Sequence, residues 1–336
     1  MLKDLVWKAS RIPALDKSVI LAELWYNQLP GELKEQISPD KFKLNEIVNL
    51  LRLKKEHKNI AIITVIGVEL ESVLRSISHP NIAKEDMSSE NFAYWFGELN
   101  RDDGPPLSVV VTMVGEAGNI PCAIASAHLL NNFNIDLIML VGIAAGPRDK
   151  VSLGDVVFAE QVLDYEHMRL EMSLSTLYFN KLLYKIGLRE LPRPRYFGVE
   201  KKLKIAFERY DKSSMRPLFG RLLTHVGKDS LPKSLSDPFA PKIHDGTIAS
   251  GEKLFADGRL GRMRRSLDER IRAGDQEDSG FAQVAKINRI PWCIFRGICD
   301  YGDATKNSEW HQVAALAAAS AGMTFLKNMW SFITRK

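Results

Sequence analysis

The chain has 336 residues, 45% of them hydrophobic and 26% charged, with a formal net charge of +5. That length suits one large α/β domain plus a small companion, and the composition is that of an ordinary globular protein. The mild positive charge permits an anionic small-molecule ligand without requiring nucleic acid. Three cysteines, Cys122, Cys293 and Cys299, are odd in number, widely spaced and set in apolar runs. They read as buried free thiols in a reducing compartment, and as neither a disulfide framework nor a metal site. The N-terminal MLKDLVWKAS has no apolar stretch of signal-peptide length, and no run approaches a membrane span. The expectation is a soluble, cytoplasmic protein.

Residues 1–57 differ from the rest. Ile20 and Leu24 suggest a helix over 17–28, and Leu44, Ile47, Val48 and Leu51 recur at the spacing of an amphipathic helix. Ser38 followed by Pro39 is a start signal for the second helix. Fewer than 60 residues of helix make a thin core, so this section is expected to dock on the main domain or to pair with a partner. The basic stretch RLKKEHK, residues 52–58, closes it.

The pattern changes at Asn59. Ile60–Ile66 is a continuous β-branched run, as expected of a strand buried on both faces, and Val109–Val114 and Leu137–Val141 repeat it. Between the last two lies a helical stretch, Ile120–Asn132. Strand, glycine loop, helix, strand is a βαβ unit, so residues 58–336 are expected to form a three-layer α/β/α domain around a mostly parallel mixed sheet. Asp155–Ala159 and Pro291–Arg296 add strands, Val199–Tyr210 looks helical, and an alanine-rich helix is expected from about Trp310 to Ser331.

Two loops carry the first hints of chemistry. Gly115, Gly118 and Asn119 follow a buried strand and precede a helix, where glycines let a ligand approach the backbone. Gly142, Ala144 and Gly146 end the next strand, and strand C-terminal ends are where open α/β sheets bind ligands. A tight turn or close helix packing accounts for these small residues equally well.

Six segments in chain order sharpen the picture: Ile60–Glu69, Gly115–Asn119, Gly142–Gly146 with Gly154–Val157, Ser250–Glu252, Asp275–Glu277 and Arg296–Asp300. In this order they resemble the nucleoside phosphorylase/nucleosidase superfamily, and most closely the pattern of methylthioadenosine/adenosylhomocysteine nucleosidase. The resemblance covers residues 59–331 and leaves the first 57 outside. It implies cleavage of the N-glycosidic bond of a purine nucleoside or nucleotide. Such cleavage develops positive charge on the ribose and negative charge on the departing base, so the protein must donate to the base and stabilise the sugar.

By resemblance, Asp300 is the general acid toward the purine N7. Glu69 positions and activates the attacking water, with Glu71 as rival. Glu277 accepts from the ribose hydroxyls, beside Gln276, where the family carries a methionine. Ser250, Leu254 and Phe255 line the base. Phosphorylases of the family carry an arginine just before the glycine turn and a serine just after its first glycine. Here those places hold Leu140 and Ile143, which favours water as the acceptor. No cofactor and no metal are implied, since none of the seven histidines forms an HxxxH pair. The arginines at 259, 262, 264, 265, 270 and 272 read as one solvated helix face, or as a phosphate grip on a nucleotide. The expected partners are a small purine nucleoside or nucleotide and further copies of the chain, with a possible protein partner at residues 1–57, neither nucleic acid nor membrane, and a possible role as an effector in signalling or defence. The alternatives are a phosphate-dependent phosphorylase and a non-catalytic nucleotide sensor acting through the N-terminal helices.

Overall fold

The computed structural model describes residues 56–82, 92–172, 188–227, 230–235, 239–253 and 256–335. The two N-terminal helices expected above, and Leu254 and Phe255, lie outside the described residues. In chain order the elements are β1 (Glu56–Thr64), α1 (Gly67–Ser76), β2 (Ser78–Ile82), β3 (Tyr94–Leu99), β4 (Leu107–Met113), α2 (Asn119–Asn132), β5 (Phe133–Ala145), β6 (Val156–Asp164), β7 (Met168–Met172), β8 (Leu188–Pro192) and β9 (Arg195–Gly198). They continue with α3 (Lys201–Arg209), a short 3-10 turn (Lys212–Met215), α4 (Arg216–Leu223), β10 (Ile243–Ser250), α5 (Arg259–Ser266), β11 (Ile271–Asp275), α6 (Asp278–Ile287), β12 (Trp292–Asp300) and α7 (His311–Thr334).

One mixed sheet organises the molecule, in the order β11-β10-β6-β12-β5-β1-β4-β3-β2, with β9 on β6. The expected β-branched runs are its parallel centre: Ile62 lies opposite Val111, and Phe295 opposite Val141. β12 runs parallel to β5 but antiparallel to β6, while β10 runs parallel to both β6 and β11. β11 also meets β5 where Gly274 faces Ala145, so the sheet curls back on itself there. β2 and β3 pair antiparallel beside β4 and form an edge that the sequence does not announce, and β7 and β8 pair as a separate two-stranded ribbon.

Alternation along β12 shows how the layers divide. The Arg296 side chain reaches α6 on one face. The next residue, Gly297, presses on the other face against α7, where an added Cβ would strike the Ala314 carbonyl. That close approach explains the alanines of α7, since Ala314, Ala317 and Ala318 are wholly buried and a larger side chain would hold helix and strand apart. Phe158, Phe207, Phe295 and Phe325 fill the space beyond, with Phe158 and Phe207 stacked at 4.1 Å between centroids. No helix of the described residues is long and apolar enough to cross a membrane.

Candidate active site

Glu69 sits in the first turn of α1, immediately after β1. Helix starts leave backbone N–H groups without partners, and an acidic side chain there can take them. Glu69 does so, accepting from Val65 N at 2.7 Å and Ile66 N at 3.1 Å through Oε2. Its other oxygen, Oε1, accepts from Ile143 N of β5 at 2.8 Å. The same carboxylate therefore closes the helix start and stands at the end of two strands. Burial raises its pKa above the ordinary carboxylate value, and the Arg296 charge opposes that rise. Glu71 points to solvent and pairs with Arg75 at 2.6 Å, while Glu69 lines the cavity described below.

Arg296 is the hub of the site and is fully buried. Its Nε donates to Asp278 Oδ1 at 3.0 Å and its Nη1 to the Ile143 carbonyl at 3.2 Å. Its Nη2 meets Glu277 Oε2 at 3.0 Å, Asp278 Oδ1 at 2.5 Å and also Asp275 Oδ2. One guanidinium thus faces three carboxylates, with Glu69 close by. One guanidinium is fewer charges than the three carboxylates it faces, and burial favours a proton on one of the acids. Burial and the Asp278 charge push the Asp275 carboxyl well above its ordinary value, while Arg296 pulls it down. Asp275 Oδ1 and Asp278 Oδ2 are buried with no hydrogen-bond partner among the described residues. Arg296 is spent on these acids and is not free to hold a phosphate.

Asp300 ends β12 and is nearly buried. Its Oδ1 accepts from Gly302 N at 2.7 Å. Its Oδ2 accepts from the Cys299 thiol at 3.3 Å and pairs with Lys306 Nζ at 3.3 Å. Burial and the Asp300 charge push the Cys299 thiol up, and burial lowers His311. A cavity of about 190 Å³ lies between these groups, with Glu69, Ile143, Gln276, Glu277, Asp300 and His311 on its wall. Burial raises Glu277 as well, against the pull of Arg296, and Glu277 takes a further hydrogen bond from the Gly118 backbone. Gln276 donates to the Glu252 carbonyl at 2.8 Å.

Glycine is required at three of the expected positions, for two different reasons. Gly118 has φ of 136°, and Gly115 has φ of 82°. A Cβ on Gly142 would collide with the Arg296 guanidinium and lie 2.7 Å from Glu69 Oε1. Ala144 lines the cavity. Asn119 and Ser250 do not belong to its wall. Asn119 Oδ1 accepts from Ser250 Oγ at 3.1 Å, Ser279 Oγ at 2.6 Å and Gly280 N at 2.9 Å, a clasp that ties α2, β10 and α6 together.

A family model of the Phosphorylase superfamily matches residues 59–328. The chain belongs to that superfamily. It is 28% identical over 275 residues to ATP nucleosidase Cap17 of Escherichia coli (strain KTE188), an alignment covering 81% of this chain and 52% of that protein, so the chain spans about half the length of that relative. It is 22% identical to 5'-methylthioadenosine/S-adenosylhomocysteine nucleosidase of Psychromonas ingrahamii, over 68% of this chain and 82% of that one. The fold is that of the Neisseria meningitidis 5'-methylthioadenosine/S-adenosylhomocysteine nucleosidase, solved with methylthio-immucillin-A. The TM-score is 0.56 at 18% identity, covering 81% of this chain and 99% of that one.

Within this phosphorylase-superfamily frame, the segments picked out in the sequence come together on one rim of the sheet. Sequence reasoning missed Asp278, Lys306 and His311, because α6 starts only after the Asp275–Glu277 segment and a loop separates Asp300 from α7. The signal that could have found Asp278 is its place directly after Glu277, at the start of a helix beside a strand carrying a buried arginine.

Proposed function

We propose that this protein hydrolyses the N-glycosidic bond of a purine nucleoside or nucleotide and releases the free base. The observation that carries this reading is that Glu69 and Asp300 face one cavity from the ends of separate strands, with Glu277 beside them. In that arrangement Asp300 donates toward N7 of the departing base, water adds to the sugar carbon, and Glu69 takes the proton of that water. Glu277 accepts from the ribose hydroxyls.

Water is favoured over phosphate because each cation on the described wall is already paired. Lys253 sits 3.2 Å from Glu166 and Lys306 3.3 Å from Asp300, while Arg296 is sealed among acids. Leu140 is buried inside β5, and Ile143 gives its N–H to Glu69. A dianion on this wall would displace existing ion pairs. Likeness to an ATP nucleosidase supports a purine nucleotide as the substrate class. The arginines of α5 support an ion-paired face instead of a phosphate grip: Arg262 pairs with Asp257 at 3.1 Å and the largely buried Arg264 with Asp149 at 2.6 Å, while Leu260 turns inward.

Residues 1–57 stand outside the family match, which supports an adaptor role and a place as an effector in a signalling or defence assembly. Exposed Ile120, Ile124 and Ile287 lie on α2 and α6 and support a homo-oligomer through that face, which light scattering would read. The functional test is chromatography after incubation with adenosine and guanosine nucleosides and nucleotides, with and without phosphate. Free base without phosphate is expected. Strict phosphate dependence, with ribose 1-phosphate as product, would make the protein a phosphorylase, and binding with no base released would make it a sensor.

A further inference from the structure

Beside Asp300, the cavity wall carries two groups that the proposed hydrolysis does not use, Cys299 and His311. Cys299, Asp300 and His311 place a thiol sulfur, a carboxylate oxygen and a ring nitrogen within 4.8 Å of one another, one ligand atom from each. Cys299 and Asp300 are buried and His311 is half-buried, so the three form a wall of the cavity and not a surface scatter. One of the distances is already close to what a metal needs. Cys299 Sγ and Asp300 Oδ2 are 3.3 Å apart, near the edge of a tetrahedron built with bonds of about 2.0–2.3 Å. No hydrogen bond holds the His311 ring among the described residues, and that ring faces the same cavity.

We propose that these three side chains form an inhibitory site for a borderline-soft divalent cation, zinc above all, with the cavity side open for a fourth ligand. Thiolate, imidazole and carboxylate together match zinc, whereas a hard cation would want oxygen alone. On binding, the S–H bond of Cys299 breaks, its proton leaves to solvent, and a sulfur–zinc bond forms, with no change of oxidation state. Lys306, the present partner of Asp300 Oδ2, has a partly exposed side chain and can swing to solvent. The metal takes its place as counter-ion. With Asp300 held by zinc, its carboxyl can no longer donate to the base, so the cation switches the enzyme off. This inhibitory half rests on the nucleosidase reading above, while the site itself does not.

The experiment uses the full chain, stripped with a chelator. Base release by the metal-free protein is measured first and tests the nucleosidase reading by itself. Cobalt(II) is then titrated in without substrate, followed by its thiolate charge-transfer absorption and its d–d bands. One cobalt per chain is expected, displaced by zinc, with base release falling along the same titration. Cys299→Ser removes the charge-transfer band even though Cys122 and Cys293 remain. His311→Gln weakens binding by at least the roughly 10–100-fold typical of changes around a metal site, and it keeps the proposal testable should the first variant fold poorly. A band that persists in Cys299→Ser, or no stoichiometric binding, overturns the site. Stoichiometric binding that leaves base release unchanged overturns the inhibition.

Discussion

Glu69 and Arg296 approach each other across the bare backbone of Gly142. A Cβ at that position would collide with the guanidinium and sit 2.7 Å from Glu69 Oε1. Gly142→Ala therefore has to push apart the two groups on which the site is built. Overpacking of this kind costs about 1–3 kcal/mol. The expected outcome is a lowered melting temperature together with a loss of base release larger than the stability change explains, read by calorimetry and by chromatography of the product.

Glu69→Gln should be inactive by roughly 10²–10⁴-fold, since an amide cannot take a proton from water. It should also lose stability. Both carboxylate oxygens accept backbone N–H groups, so the amide nitrogen must face a donor, a penalty of about 1–3 kcal/mol. Glu71→Gln, an exposed partner of Arg75, should change neither quantity measurably. Because burial raises the Glu69 pKa, the base form is lost as pH falls through a value above 4.5, and the acid limb of the rate profile should lie correspondingly high.

Asp300→Asn keeps an oxygen for the Gly302 amide but turns an NH₂ toward Lys306. Turnover should fall by about 10²–10⁴-fold while a purine ligand still binds. Near-full activity of this variant on the true substrate would remove Asp300 from the mechanism.

Asp275 links the site to stability. Its folded pKa is raised well above 3.8, so in the window above 3.8 the native chain holds a proton that the unfolded chain has lost. Stability is then fully present below that window and declines as pH rises through it. Asp275→Asn, which mimics the protonated form, should flatten this slope in denaturant titrations run from acid to neutral pH. An unchanged slope would mean that the buried acids are balanced some other way.

Because β1 begins at Glu56, a deletion of residues 1–55 keeps that strand whole. Base release should survive the deletion, with a change in oligomeric state or partner binding seen by light scattering and pull-down against a defined partner. A truncated chain that fails to fold would place the segment within the catalytic domain.

Much of this was legible in the chain itself. The β-branched runs at 60–66, 109–114 and 137–141 announced the sheet centre, since a strand buried on both faces must be apolar throughout. The glycine loops and the acids after them marked one rim, because βαβ units bring parallel strand ends to the same side. The edge strands β2 and β3 were not legible: SHPNI and YWFGEL carry no buried run, and their pairing is decided by neighbours. Tertiary structure alone decided that Glu69 and not Glu71 turns inward, that Arg296 is bound by Asp275, Glu277 and Asp278, and that Asn119 clasps Ser250 instead of facing the cavity. It alone brought His311 beside Cys299 and Asp300. Hydrophobic runs and turn residues act within a few positions of the chain. Charge pairs and ligand clusters join residues far apart in it, and only the packed sheet fixes which of them meet.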